Sequence, residues 1–454
     1  MREEMGYVPD AGLLLGLGVI GLLILLMLNP RKVTEMMVGL LIVASPVLYN
    51  VYMPRSVMGV RGMSPANIMF ALAFGLLLLR LIGTGRIFSF ARVYLNLPLL
   101  IMIVLSVVGA GITYLSGSSH NFFQAENTRM DLILYELVRP FQVIAVGWLA
   151  MVVCFINGNK EFIQRVMLVA PIFLFAVTLF VALSVVGAGG LSEGFAEGRT
   201  ALGWYLRLHG NQIGALGVYF LVLSLLMKEH GWPTLRLIAI ACALGLVAIS
   251  ISRIALVSTA LMLSLLIFKI DKSERRTVII GLTVVVLLFG GDWALRLTNS
   301  GIDVTSLEGS VQNYDRISSG RIDGIWKPAL AMIGEKLWFG HGLGTVVDTV
   351  EEGFIHPHNA YLWITLQMGL VGTFGLANLL FFAFKDAFRR KDELYYLLIA
   401  MCVISMTGHQ FQPHRTNLVI WIVYGMALAE RYAFARDEKH VRRPALIAGA
   451  QASA

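Results

Sequence analysis

Long apolar runs separated by short polar ones set the plan of this chain. Apolar runs of about 17–25 residues can cross a bilayer as helices. They fall near 11–28, 33–51, 65–82, 95–115, 131–155, 166–186, 211–227, 234–251, 254–268, 277–294, 360–383, 394–409 and 416–433. This pattern predicts an all-α polytopic membrane protein with 12 or 13 spans. The short, nearly fused pair 234–251 and 254–268 decides between those numbers. The first run is followed by Asn29-Pro30-Arg31-Lys32 with no small-residue cleavage site, so it predicts a retained helix rather than a cleaved leader.

One polar interruption is far longer than the others, and the expected organisation follows from it. Membrane helices occupy 1–290, a large loop 291–358, further membrane helices 359–433, and a basic, then Ala-rich tail without fixed structure 434–454. The loop opens with a polar, turn-rich stretch, Gly301 to Gly320. Ile322, Ile325, Trp326, Ala329, Leu330, Ile333 and Leu337 then recur at helical spacing. That stripe predicts short helices lying flat on the membrane surface. Pro328 is expected to kink or divide them. A glycine-rich turn, Phe339 to Gly344, comes next.

Composition and charge sharpen the class. Of 454 residues, 57% are hydrophobic and 14% charged, against about 25% charged in soluble domains. Cys154, Cys242 and Cys402 all fall in apolar runs. They read as small core residues, not as a disulfide framework or a zinc site. The net charge of +8 reports topology rather than nucleic-acid binding. With the loops taken alternately, one set and the tail hold 22 of the 36 Lys and Arg residues. The short loops of the other set, with the N-terminus, hold eight. The basic set is then cytoplasmic by the positive-inside rule. This puts the N-terminus and the long loop outside and the tail inside. The chain has no internal repeat, no Walker A loop, no dinucleotide fingerprint and no H-E-x-x-H motif.

Candidate chemistry gathers on the outer side. His356-Pro357-His358-Asn359 ends the long loop just before an apolar run. Two readings are open for His358: a loop histidine that caps the next helix, or a general base. Imidazole titrates near neutrality and can take a proton from an attacking hydroxyl. Arg199 and Arg207 precede the run that begins near Asn211, and Arg253 sits at the tip of a short hairpin. Arginine between apolar runs is costly unless it is paired or serves a site. Guanidinium forks match phosphate oxygens two at a time. The arginines either hold a diphosphate or anchor helices at head groups. Glu136 and Arg139 read as an ion pair inside a span, and His409, His414 and Arg415 as a solvated outer loop. His356 and His358 with Glu351 and Glu352 offer metal donors, but H-x-H without a third fixed ligand is weak, so no metal is expected.

These residues form a pattern. Ser319-Gly320-Arg321, Trp326, the Phe339–Gly344 turn, then His358-Asn359 with nine residues to Gly369 and two more to Gly372 resemble the O-antigen ligase and O-antigen polymerase family. The Arg199–Asn211 stretch and the Ser252-Arg253 hairpin are similar to that family as well. The resemblance covers about the second half of the chain. It implies a multi-pass glycosyltransferase of the bacterial inner membrane, acting at the periplasmic face without cofactor or metal. Its donor would be an undecaprenyl-diphosphate-linked oligosaccharide, and its acceptor a glycan or lipid A–core. It further implies that His358 activates the acceptor and that Arg253, with Arg199 or Arg207, grips the donor diphosphate. Asn359, His356 and Arg321 would support them. The large loop between Arg253 and His358, and the ten residues from Arg199 to Gly210, favour a surface-polysaccharide polymerase, for O-antigen or exopolysaccharide, over a ligase. A protein oligosaccharyltransferase fits less well. The reading from another class is a polysaccharide or lipid transporter; proteins of that class often show internal repeats and midplane charges, whereas this chain has no repeat and most of its ionisable residues, apart from Glu136 and Arg139, lie at the outer ends of spans.

Overall fold

The computed structural model describes residues 160–184, 210–227, 232–250, 252–299, 321–342, 357–390 and 393–407 continuously. It adds isolated positions between 32 and 115, several between 345 and 355, and most of 419–427. Five helices follow one another: α1 (Lys160–Ser184), α2 (Gly210–Leu226), α3 (Pro233–Ser250), α4 (Arg253–Leu266) and α5 (Lys272–Asn299). A π-helical turn (Ile322–Trp326) leads into α6 (Lys327–Glu335), and α7 (Ala360–Arg390) and α8 (Glu393–Ile404) complete the order. Two short antiparallel ladders join them, β1 (Ser56–Val57) with β2 (Val60–Arg61) and β3 (Val347–Thr349) with β4 (Gly353–Ile355).

The protein is an all-α membrane protein. Among the described residues, α1, α3 and α7 are long and apolar enough to cross a membrane, and α2, α4 and α8 are shorter apolar helices. Their bounds lie within a few residues of the runs 166–186, 211–227, 234–251, 254–268 and 394–409. The run 360–383 extends further, to Arg390. At 14 residues, α4 is about 21 Å long, short of the ~30 Å hydrocarbon layer. The runs before residue 160 lie, apart from isolated positions, outside the described residues, and the total of 12 or 13 spans rests on them.

α2 is the central helix. It is apolar all round and buried from Ile213 to Leu225, as expected for a helix with neighbours on every side. Small residues let those neighbours approach. A Cβ added to Gly217 would stand 3.0 Å from the Ala243 carbonyl oxygen, and one on Gly214 would stand 2.6 Å from the Ala255 Cβ. Close approach at small residues is a main source of helix association in lipid.

Polar contacts define the two ends of this bundle. At one end, Arg236 on α3 pairs with Glu274 and Asp271 at the start of α5, and donates to the Met227 carbonyl beyond α2. Lys269 donates to the Tyr396 hydroxyl on α8 at the same end. At the other end, Ser252 donates to the Asn211 side chain at 2.9 Å. The Ala360 amide reaches the Ser405 carbonyl at 2.9 Å, and the Tyr361 hydroxyl reaches the Cys402 carbonyl at 2.9 Å. α8 runs from the first end to the second, so the N-termini of α2, α4 and α7 share one end.

The amphipathic stripe of the long loop differs from its expectation. Ile325, Ala329 and Ile333 do not lie on a membrane surface; they are buried against Leu366 of α7 and Val347 of β3. Leu330 and Leu337 of the same stripe stay exposed. Pro328 divides the stripe as expected. It sits in the first turn of α6, directly after the wide π turn.

Candidate functional site

The segment Pro357–Tyr361 is held from three directions. The β3–β4 ladder pairs Val347 with Ile355 and delivers the chain to it. The Trp326 indole donates to the Pro357 carbonyl at 2.9 Å. Ala360 and Tyr361 are tied to Ser405 and Cys402 at the end of α8. Asn359 then caps α7: its side-chain oxygen accepts from the Tyr361 and Leu362 amides at 3.0 and 3.2 Å. This is the geometry for which asparagine is favoured at helix starts.

His358 stands between these anchors with φ +50°. Among the described residues it is alone in combining a side chain larger than hydrogen with a positive φ. Left-handed backbone costs such a residue roughly 1–2 kcal/mol, and residues so held concentrate at functional sites. The side chain is half-buried.

Arg253 occupies the first helical position of α4 at the same end of the bundle. Ser252 is its N-cap, with φ −93° and ψ 115°, and accepts from the Ala255 amide. Ser252 also donates to Asn211, and its own amide donates to Ser250. The buried Ser250 and Ser252 with half-buried Asn211 fix the hairpin tip, while Arg253 itself is exposed. A cation at a helix N-terminus faces the positive end of the macrodipole. The two add to one positive potential beside an exposed side chain, an arrangement suited to an anion.

A second device lies one layer along α7. Gly369 has φ +63° and breaks the helix. The Leu370 and Val371 amides turn from their own helix to the Leu337 and Trp338 carbonyls, at 2.8 and 3.2 Å. The Leu366 and Gln367 carbonyls accept instead from the His341 and Gly342 amides, at 2.8 and 2.9 Å. Four backbone groups are exchanged between helix and loop, and none of the four loses its partner. The exchange needs glycine on both sides. A Cβ on Gly369 would lie 2.3 Å from the Trp338 carbonyl, and one on Gly340 would lie 2.5 Å from that of Gln367. His341 is buried beneath the loop, with Nε2 2.7 Å from the Met332 carbonyl.

The expected site residues therefore divide. His358, Asn359 and Arg253 share one end of the bundle. Arg321, half-buried, opens the π turn that carries Trp326. Arg199, Arg207 and His356 lie outside the described residues, as do Glu136, Arg139, Glu351, Glu352, His409, His414 and Arg415. Among the described residues no three His, Cys, Asp or Glu side chains converge as a metal site would require. The amides of Ala360, Tyr361 and Leu362 are already taken by Ser405 and Asn359. An anion here could not take those three amides. Tyr361 and Ser405 were not singled out from the sequence as parts of this end, and the bond between Ser252 and Asn211 was not legible there, because the partners lie on other helices.

Residues 238–377 match the family model described as O-antigen ligase. The matched segment includes Arg253, Arg321, His358, Asn359 and the broken part of α7. No curated protein matches the chain.

Proposed function

We propose that this chain, whose residues 238–377 match the O-antigen ligase family model, is a glycosyltransferase of the bacterial inner membrane. It takes a glycan from undecaprenyl diphosphate at the periplasmic face and passes it to a hydroxyl of another glycan. It is then a surface-polysaccharide polymerase, working without metal or cofactor. The observation that carries this reading is His358. A histidine is held in left-handed backbone at a capped helix start, at the end of the bundle where Arg253 is exposed.

Each part has a physical role. The polyprenyl diphosphate is an activated leaving group, so the protein need supply only position, a base and charge. His358 takes the proton of the acceptor hydroxyl as its oxygen attacks the anomeric carbon and the bond to the diphosphate breaks. Base catalysis of this kind contributes about 10²–10⁴-fold. Arg253, with Arg199 or Arg207, offsets the negative charge that collects on the departing diphosphate. Asn359 and Arg321 support His358 through the helix cap and the π turn, and His356 stands two residues before it.

The description of the matched family favours a second reading, a ligase with lipid A–core as acceptor. The two separate in one experiment. The protein in lipid nanodiscs is given an undecaprenyl-diphosphate-linked oligosaccharide from its host and no other acceptor. A ladder of repeat lengths is the expected result. No ladder, with one shifted band after lipid A–core is added, establishes the ligase. Neither product, in the presence of both native substrates, returns the transporter reading.

A further inference from the structure

The geometry points to a membrane-seated ledge: Leu337–Phe339 of the long loop re-enters the bilayer and rests on its acyl chains beside the break in α7. Three observations carry this. First, Trp338 and Phe339 are 65% and 60% exposed, although a loop in water gains nothing by presenting two large apolar side chains. Second, the Leu337 and Trp338 carbonyls accept from the amides of Leu370 and Val371, which are exposed on α7 together with Phe374 at 72%. That row continues down the same helix through exposed Phe381 and Phe388, which face lipid if α7 spans. The ledge therefore extends a lipid-facing surface instead of forming a separate patch. Third, irregular backbone is tolerated at membrane depth only where it is buried against protein. The exchange around Gly369 seats the backbone of this segment on α7.

Length fixes the depth. At 1.5 Å per residue, Leu370 lies about 22 Å along α7 from Lys385 and about 30 Å from Arg390. The hydrocarbon layer is about 30 Å thick. With the basic cluster Lys385–Arg390 at the far head groups, Leu370 and the ledge bonded to it lie at or below the near hydrocarbon boundary. Ala360 then stands about 15 Å beyond the ledge, among or above the head groups. This inference does not depend on the transferase reading.

Its test is nitroxide accessibility. Phe339→Cys is made in a chain with Cys154, Cys242 and Cys402 replaced by Ala. The labelled protein is placed in donor-free lipid nanodiscs, with Phe374→Cys as lipid reference and Glu335→Cys as water reference. Collisions with oxygen are expected to exceed those with a water-soluble nickel complex at Phe339, as at Phe374, and the ratio to invert at Glu335. A Phe339 label that behaves like the Glu335 label overturns the ledge. A label shielded from both reagents also overturns it, since a second copy or another part of the chain would then cover the site. A lipid-like ratio that appears only after undecaprenyl-linked donor is added overturns it as well, in favour of a seat for the donor tail. Leu337→Cys gives the same reading if Phe339→Cys fails to reconstitute.

Discussion

The two ends of the α2–α5 bundle are built on different principles. Around Arg236, charge is spent on charge. Glu274 is 1% exposed and pairs with Arg236, which also meets Asp271 at 3.5 Å. Glu274 additionally accepts from the Asp271 amide, which caps the start of α5. Around His358, the bonds that shape the chain come from neutral groups: Asn211, Ser252, Trp326, Asn359 and Tyr361. A helical protein in a membrane needs its helix ends closed, and neutral caps do this as well as ion pairs. One end is thus shaped by neutral caps beside His358 and the exposed Arg253, while the other uses its ions as fastening.

Substitutions should separate these principles. The largest effect is expected from His358→Ala. It should reduce transfer by roughly 10²–10⁴-fold with the thermal midpoint of the protein in nanodiscs unchanged. Undiminished transfer would remove the base from the mechanism. Glu274→Ala should do the reverse. Removing one partner of a buried pair costs about 3 kcal/mol, and Asp271 offsets part of that for Arg236. The midpoint should fall while the folded fraction keeps its turnover; a normal midpoint would show that the pair contributes nothing. Arg253→Ala is the smallest of the three. Losing a charge-assisted contact worth about 1.5–3 kcal/mol should raise the donor KM roughly tenfold or more, with stability unchanged. Unaltered donor kinetics would count against diphosphate binding.

Much of the bundle was legible from the sequence because the bilayer imposes a length. The runs near 166, 211, 234, 254 and 394 became α1, α2, α3, α4 and α8 with small shifts at their ends. The turn at Phe339–Gly344 was legible from its glycines, and Gly340 and Gly342 do take positive φ. Its docking against Gly369 was not. A single glycine within an apolar run is a weak signal, and the groups that replace its helical bonds lie some thirty residues upstream. The stripe was read correctly as helical through Ile333, but for Ile325, Ala329 and Ile333 the covering partners are α7 and β3 and not lipid. Periodicity marks an apolar face without saying whether lipid or another helix covers it. His358 was identifiable as a residue type before an apolar run; its left-handed backbone depends on Trp326 and on the end of α8, which no local pattern connects to it.

The exchange at Gly369 also limits how the long loop can move. Lifting residues 337–342 away would break four backbone hydrogen bonds at once, each worth about 0.5–1.5 kcal/mol net. A penalty of about 4 kcal/mol leaves roughly one molecule in a thousand open. The loop is therefore a strut, not a gate. Any passage that lets a bulky lipid-linked sugar in and its carrier out must be opened by other parts of the molecule, with this corner as the fixed post against which they swing.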